Sequence, residues 1–226
     1  MVVAPRSRKS SACGGFCERA GRRLVRRKPS ERIQASLQLA TTAYLPEPMS
    51  RNYRILDPDG LYFVSFATVG WVDLLTRREY KDVVLESLKH CQVEKGLLIY
   101  EWVIMTSHVH LLVKADGTSG LSDILRDLKK YTSKQLINAL EHHPQESRRE
   151  WLLKMFREAG ERNSNNTTYQ VWQQHNKPLL LERTEEIDRV TDYIRENPVV
   201  EGFVASPEDY LYSSAHDARL LRLEEA

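Results

Sequence analysis

The chain has 226 residues, 41% hydrophobic and 28% charged, with 33 Lys and Arg against 31 Asp and Glu for a net charge of +2. That balance fits an ordinary globular protein with one sizeable core and excludes a collagen-like or composition-biased chain. No apolar run approaches the ~20 residues of a membrane span, and Cys13, Cys17 and Cys91 are too few and too scattered for a disulfide frame or a zinc set, so a reducing, cytoplasmic compartment is expected.

The small net charge conceals an uneven distribution. Residues 1–32 hold ten Lys and Arg and two acids, a net +8 that leaves −6 for the other 194 residues. Nucleic-acid binding by the body therefore needs a local basic surface. Residues 1–48 show neither helical nor strand period and carry Gly14-Gly15, Pro5, Pro29, Pro46 and Pro48, so a disordered basic tail is expected there. It reads equally as a DNA-attracting arm, a transit peptide, or a stretch upstream of a true start at Met49. The folded domain is placed at 49–220.

Order is expected from near Tyr53. The turn signal Asp57-Pro58-Asp59-Gly60 precedes Leu61 to Val69, rich in aromatic and β-branched residues, which reads as a strand. Val84, Leu88 and Cys91 recur at helical spacing within 77–95, with Gly96 as C-cap. Leu97 to Met105 is the next strand, and Thr106-Ser107 turns the chain into a strand opening at His108. Residues 119–140 form a helix whose buried stripe is Leu121, Ile124, Leu125, Leu128, Leu136 and Leu140. Arg126, Lys130 and Lys134 line its edge, either as a solvated face paired to Asp123 and Asp127 or as a phosphate-contacting ridge.

Residues 141–168 read as an insertion. It contains a short helix over 146–160, with Trp151, Leu152, Met155, Phe156 and Ala159 on one side, and a polar loop. Val171 to Leu181 is a fourth strand candidate, broken at Asn176-Lys177-Pro178. Thr184 is expected to N-cap a last helix that Pro198 stops. Trp172 reads as a core or edge aromatic, or as a platform on which a single-stranded base stacks.

The chemistry centres on two places. In His108-Val109-His110 the period of a strand puts both imidazoles on one face and Val109, Leu111 and Val113 on the other. Tyr193 and Asn197 stand four apart on the last helix and share a face. The histidines and Asn197 can hold a divalent cation, with Tyr193 beside it as nucleophile. A cation on a phosphate oxygen neutralises charge at the attacked group and favours the phenolate, which in free phenol forms only near pH ~10. Tyr131 and Gln135 form a similar pair, but on the basic-edged helix too soon after His110.

Two segments resemble a known family. Trp102 to Val113 is similar to the HUH motif strand of single-tyrosine transposases. Tyr193-Ile194-Arg195-Glu196-Asn197-Pro198, with Tyr210-Leu211-Tyr212-Ser213-Ser214 after it, resembles the REP-associated tyrosine transposase branch. Thr106-Ser107 stands where such strands often read Pro-Asn, a change expected to affect the turn alone. The resemblance spans roughly 53–215 and implies an α+β fold with a ferredoxin-like β-α-β-β-α-β core. It implies His108, His110 and Asn197 as metal ligands, Tyr193 as nucleophile, and Mg²⁺ or Mn²⁺ as the cation, imidazole leaning towards manganese. The substrate implied is single-stranded DNA, often folded as a hairpin, cut and rejoined through a 5′-phosphotyrosine by a monomer or homodimer. The rival reading is a non-catalytic single-stranded nucleic-acid-binding regulator on the same fold.

Overall fold

The computed structural model describes residues 55–163, 168–174, 176, 178–216 and 220–225. The basic tail, the Met49 start, most of the polar loop at 164–167, and Lys177 and His175 lie outside the described residues. The elements run β1 (Leu61–Ala67), α1 (Arg78–Lys95), β2 (Leu97–Ile104), β3 (His108–Ala115), α2 (Leu121–His142), α3 (Arg149–Glu161), β4 (Leu179–Leu181) and α4 (Thr184–Val200). The four strands form one antiparallel sheet in the order β2-β3-β1-β4. This is the α+β, ferredoxin-like arrangement expected, with α3 inserted before the last strand.

Strand period divides the sheet into two faces. On one, Val64 and Phe66 pair across from Leu111 and Val109, and Trp102 and Ile104 continue the layer on β2. α1 and α2 cover this face, burying Val84, Leu88, Ile124, Leu125 and Leu136 completely. Burying one such side chain stabilises the fold by about 1.5–3 kcal/mol. On the other face Phe63, Ser65 and Ala67 pair with Leu112, His110 and His108. That face meets α4, which buries Val190, Tyr193, Ile194, Asn197 and Pro198. The two polar residues of the H-x-H pattern thus face a helix, not solvent.

A bulge adjusts β2. The register passes from Ile99↔Val113 to Glu101↔Leu112, leaving Tyr100 as the extra residue. The shift turns Glu101 onto the face of the imidazoles, where a regular ladder would have put Tyr100. The outer edge of β2 is covered by the C-terminal segment. Ile104 N–H donates to Tyr212 O (2.9 Å), Ser214 N–H to Trp102 O (2.9 Å) and Glu224 N–H to Ile99 O (2.9 Å). An edge so paired offers no free ladder to another chain over those residues.

Three local expectations need correction. The last helix has Arg183, not Thr184, at its N-cap. The Arg183 carbonyl accepts the Glu186 N–H (3.0 Å) and the Ile187 N–H (3.1 Å), no side chain caps the helix, and Glu186 reaches back to the Glu182 N–H (3.4 Å) and the Arg183 guanidinium (2.6 Å). Pro198 lies inside the last turn, because its missing N–H removes only one bond near an end, and the chain continues with Glu201 N–H on Asn197 O (3.0 Å). The fourth strand shrinks to three residues, since Pro178 cannot donate to a ladder. Upstream of it, Val171, Gln173 and Asn176 bond irregularly along the end of β1, with Trp172 bridging Thr68.

Candidate active site

His108 and His110 open β3 side by side, their ring centroids 4.7 Å apart. Both are almost fully buried, at 2% and 1% exposure. α4 crosses above them in the same chain. Asn197 Oδ1 stands 3.3 Å from His108 Nε2, and the Tyr193 hydroxyl 3.3 Å from His110 Nε2. Tyr193 and Asn197 are each 4% exposed. The structure therefore brings together all four residues singled out from the two motifs, although they are up to 89 positions apart in the chain.

Three groups not anticipated from sequence hold this arrangement. Ser107 Oγ lies 3.2 Å from His108 Nδ1. A hydroxyl can donate to that nitrogen or accept from it, so Ser107 supports His108 in either tautomer. The position expected to affect only the turn thus orients an imidazole. Phe63 stacks on His110 at 5.4 Å with 25° between planes and meets Tyr193 edge-on at 6.0 Å. Glu101, buried and turned to this face by the bulge, forms a short ion pair with Arg195 and accepts a short hydrogen bond from the Ser214 hydroxyl. That pair ties α4 to the sheet two residues from the phenol.

Burial keeps the imidazoles neutral. It pushes His108 down to about 4, against the raising effect of its bond to Asn197. Burial, reinforced by the neighbouring His108, holds His110 well below the usual histidine range. Neutral imidazole is the form that donates a lone pair to a cation. Among the described residues there is no cluster of three or more His, Cys, Asp or Glu. The donor set is instead two imidazole nitrogens and one amide oxygen. Within the set the His108–Asn197 contact, at 3.3 Å, is long for a hydrogen bond, so these two donors are weakly committed to each other. The set fits a divalent cation that accepts nitrogen and oxygen ligands.

Residues 72–159 match the family described as Transposase IS200 like. The match contains the H-x-H strand and ends before the Tyr193 helix, and it bears out the transposase resemblance carried by that strand. A solved structure described as the REP-associated tyrosine transposase bound to a REP hairpin is similar at 19% identity. The likeness covers 79% of this chain and 92% of that one, with a TM-score of 0.51. It concerns the fold. No curated protein matches. Among the described residues, no helix is long and apolar enough to cross a membrane.

The proposed DNA-contacting residues lie elsewhere. Arg126 is ion-paired to Asp123 and, at 3.3 Å, to Asp127, so its charge is already answered. Lys130 and Lys134 are exposed, but on α2, which covers the sheet face opposite the imidazoles. Trp172 is not a surface platform. It is 3% exposed, packs edge-on to Phe66 at 5.0 Å and donates its indole N–H to Thr132 Oγ1 at 2.9 Å. Tyr131 is 57% exposed, and with Gln135 it lines a groove of about 660 Å³ between α1 and α2, away from the imidazoles.

Proposed function

We propose that this protein is a transposase-like enzyme that cuts and rejoins single-stranded DNA, including hairpins, through Tyr193. The observation that carries the reading is the convergence of a phenol, an amide oxygen and two neutral imidazoles on one buried spot between β3 and α4. The IS200-like match over residues 72–159 supports it. So does the hairpin held by the similarly folded REP-associated protein.

His108, His110 and Asn197 would hold Mg²⁺ or Mn²⁺. The bound cation supplies charge neutralisation at the phosphate and favours ionisation of the phenol. The Tyr193 oxygen then bonds to phosphorus, and the bond from phosphorus to the 3′ oxygen breaks. The phenol gives up one proton and the released 3′ oxygen takes up one. The product is a 5′-phosphotyrosine and a free 3′ hydroxyl, and attack by a 3′ hydroxyl reverses the step without a nucleotide cofactor. Ser107 keeps His108 in place, Phe63 keeps His110 and Tyr193 in place, and Glu101 with Arg195 fixes the height of α4. Tyr193 reaches the imidazoles of its own chain, the arrangement that a monomer would use.

One observation favours the rival reading, a regulator that binds DNA without cutting it. All four groups are at most 4% exposed, so a phosphate enters only if the site opens. The two readings separate on a denaturing gel after incubation with labelled DNA hairpins and Mn²⁺ or Mg²⁺. The enzyme gives a covalent adduct that is lost in Tyr193→Phe and kept in Tyr131→Phe. A binding module gives a mobility shift on a native gel and no adduct in any version.

A further inference from the structure

The turn after β1 contains a conformation that nothing in the fold's connectivity demands. Gly70 and Trp71 both have positive φ, 66° and 55°. For glycine this is ordinary. For a residue as bulky as tryptophan it is an outlier, and among the described residues it is the sole non-glycine case. Such a conformation persists only where the surroundings enforce it. Here they do: Thr68 Oγ1 donates to Val72 O (2.7 Å) and to Ser107 O (3.1 Å), Trp71 N–H donates to Thr68 O (3.0 Å), and Leu75 N–H donates to Thr106 O (2.8 Å). The turn is thereby fastened to the Thr106-Ser107 loop that leads into His108.

The strained backbone aims the indole at the site. Trp71 meets His108 edge-on, with centroids 5.7 Å apart. The residue is half-buried, and its indole N–H makes no hydrogen bond among the described residues. The other tryptophan with a candidate DNA role, Trp172, differs on both counts. Trp71 also forms one wall of the site, through its contact with His108. On the other side α4 is held by the Glu101–Arg195 pair and by fully buried Val190 and Ile194. The turn that carries Trp71 is held by the Thr68 hydroxyl and by backbone bonds, while Trp71 itself is only half-buried.

We propose that Trp71 is a stacking platform for a nucleobase of the single-stranded DNA next to the phosphate that Tyr193 attacks. A half-buried tryptophan beside a phosphate-binding site suits this role, since every base presents a π-face and stacking needs no particular sequence. Moving the ring from His108 onto a base would open the closed site and position the strand in one motion. This inference rests on the strand-cutting reading of the site.

The test uses the full chain carrying Tyr193→Phe, so that binding is read without cutting. The ligand is a fluorescent DNA hairpin with a single-stranded arm on each side, made as a series in which one arm nucleotide at a time is abasic. Binding is measured by polarisation with Trp71 intact, with Trp71→Asn, which tolerates the left-handed backbone and removes the ring, and with Trp71→Phe, which keeps one. With Trp71 intact, one abasic position should weaken binding about tenfold. In Trp71→Asn that penalty should vanish while the others stay, and Trp71→Phe should keep most of it. An unchanged penalty pattern in Trp71→Asn overturns the proposal, even if the Tyr193 chain forms an adduct on the same hairpin. A penalty that follows Trp71 where no adduct ever forms supports the platform and removes the strand-cutting reading. Absence of any binding removes both.

Discussion

The Glu101 carboxylate, buried on the imidazole face of the sheet, is ion-paired to Arg195, two residues from Tyr193 on the helix above. The pair joins an element that carries the imidazoles' sheet to the element that carries the phenol. Arg195→Ala leaves Glu101 buried with the Ser214 hydroxyl as its remaining partner. Because the arginine side chain is 47% exposed, the expected loss is about 1–2 kcal/mol, below that of a fully buried pair. Urea denaturation measures it. Adduct formation should fall by more than global unfolding explains, on the order of tenfold at temperatures where the fold is intact, since small displacements of a nucleophile are costly.

Ser107→Ala removes the partner of His108 Nδ1 in a site where little water reaches. Stability should drop by about 1 kcal/mol. The more telling effect is on the cation: loss of an orienting hydrogen bond to a ligating imidazole typically weakens binding about 10–100-fold. Calorimetric titration with Mn²⁺ measures the change, and Ser107→Thr, which restores a hydroxyl, should recover much of it.

Glu146 ties the α2–α3 connection to the start of α1. Burial acts to raise its pKa, but hydrogen bonds from Arg148 (3.0 Å) and Arg77 (3.0 Å) outweigh this and hold it at about 2 against an ordinary 4.5. A carboxylate depressed in the folded state contributes stability above its unfolded pKa and loses it as pH falls through the folded one. The contribution is therefore full above pH 4.5 and gone near pH 2, on the order of 3 kcal/mol. Denaturation midpoints between pH 6 and pH 2 should show this acid limb, and Glu146→Gln should flatten it.

Gly96 ends α1 with φ 70° and donates its N–H to Cys91 O. A Cβ there would stand 1.9 Å from Asp116 Oδ1, whose carboxylate is engaged by the Thr118 N–H at 2.7 Å. Gly96→Ala should cost about 1–2 kcal/mol from the backbone alone, more if Asp116 must move, and should leave the strand-cutting site unaffected. Thermal unfolding and the adduct assay, run side by side, check both halves.

What was legible in the chain follows from local periodicity. A period of two put His108 and His110 on one face. A spacing of four put Tyr193 beside Asn197, and alternation of strand and helix patterns gave the β-α-β-β-α-β order. What was not legible depends on distant partners. The bulge at Tyr100 has no signal in the sequence, so Leu97 to Met105 reads as one regular strand and nothing marks Glu101 as the anchor of α4. Trp172 seemed available because its bridge to Thr68 and its bond to Thr132 join positions 104 and 40 residues away. The positive φ of Trp71 comes from the Thr68 and Ser107 contacts around it. Thr184 is not the cap because the helix begins one residue earlier than its side chain suggests: Arg183 is the extended N-cap residue, and its carbonyl accepts the first helical N–H groups, from Glu186 and Ile187.

The central claim is that Tyr193 is the group that takes the DNA strand. It is tested most directly by trapping the protein on a labelled hairpin with Mn²⁺, trimming the DNA with nuclease and sequencing tryptic peptides by mass spectrometry. The expected result is a nucleotide remnant on the peptide from Val190 to Arg195, located at Tyr193, and absent when His108 and His110 are both changed to alanine. A remnant on Tyr131 or another residue, or no remnant from protein that binds both the hairpin and the cation, contradicts it.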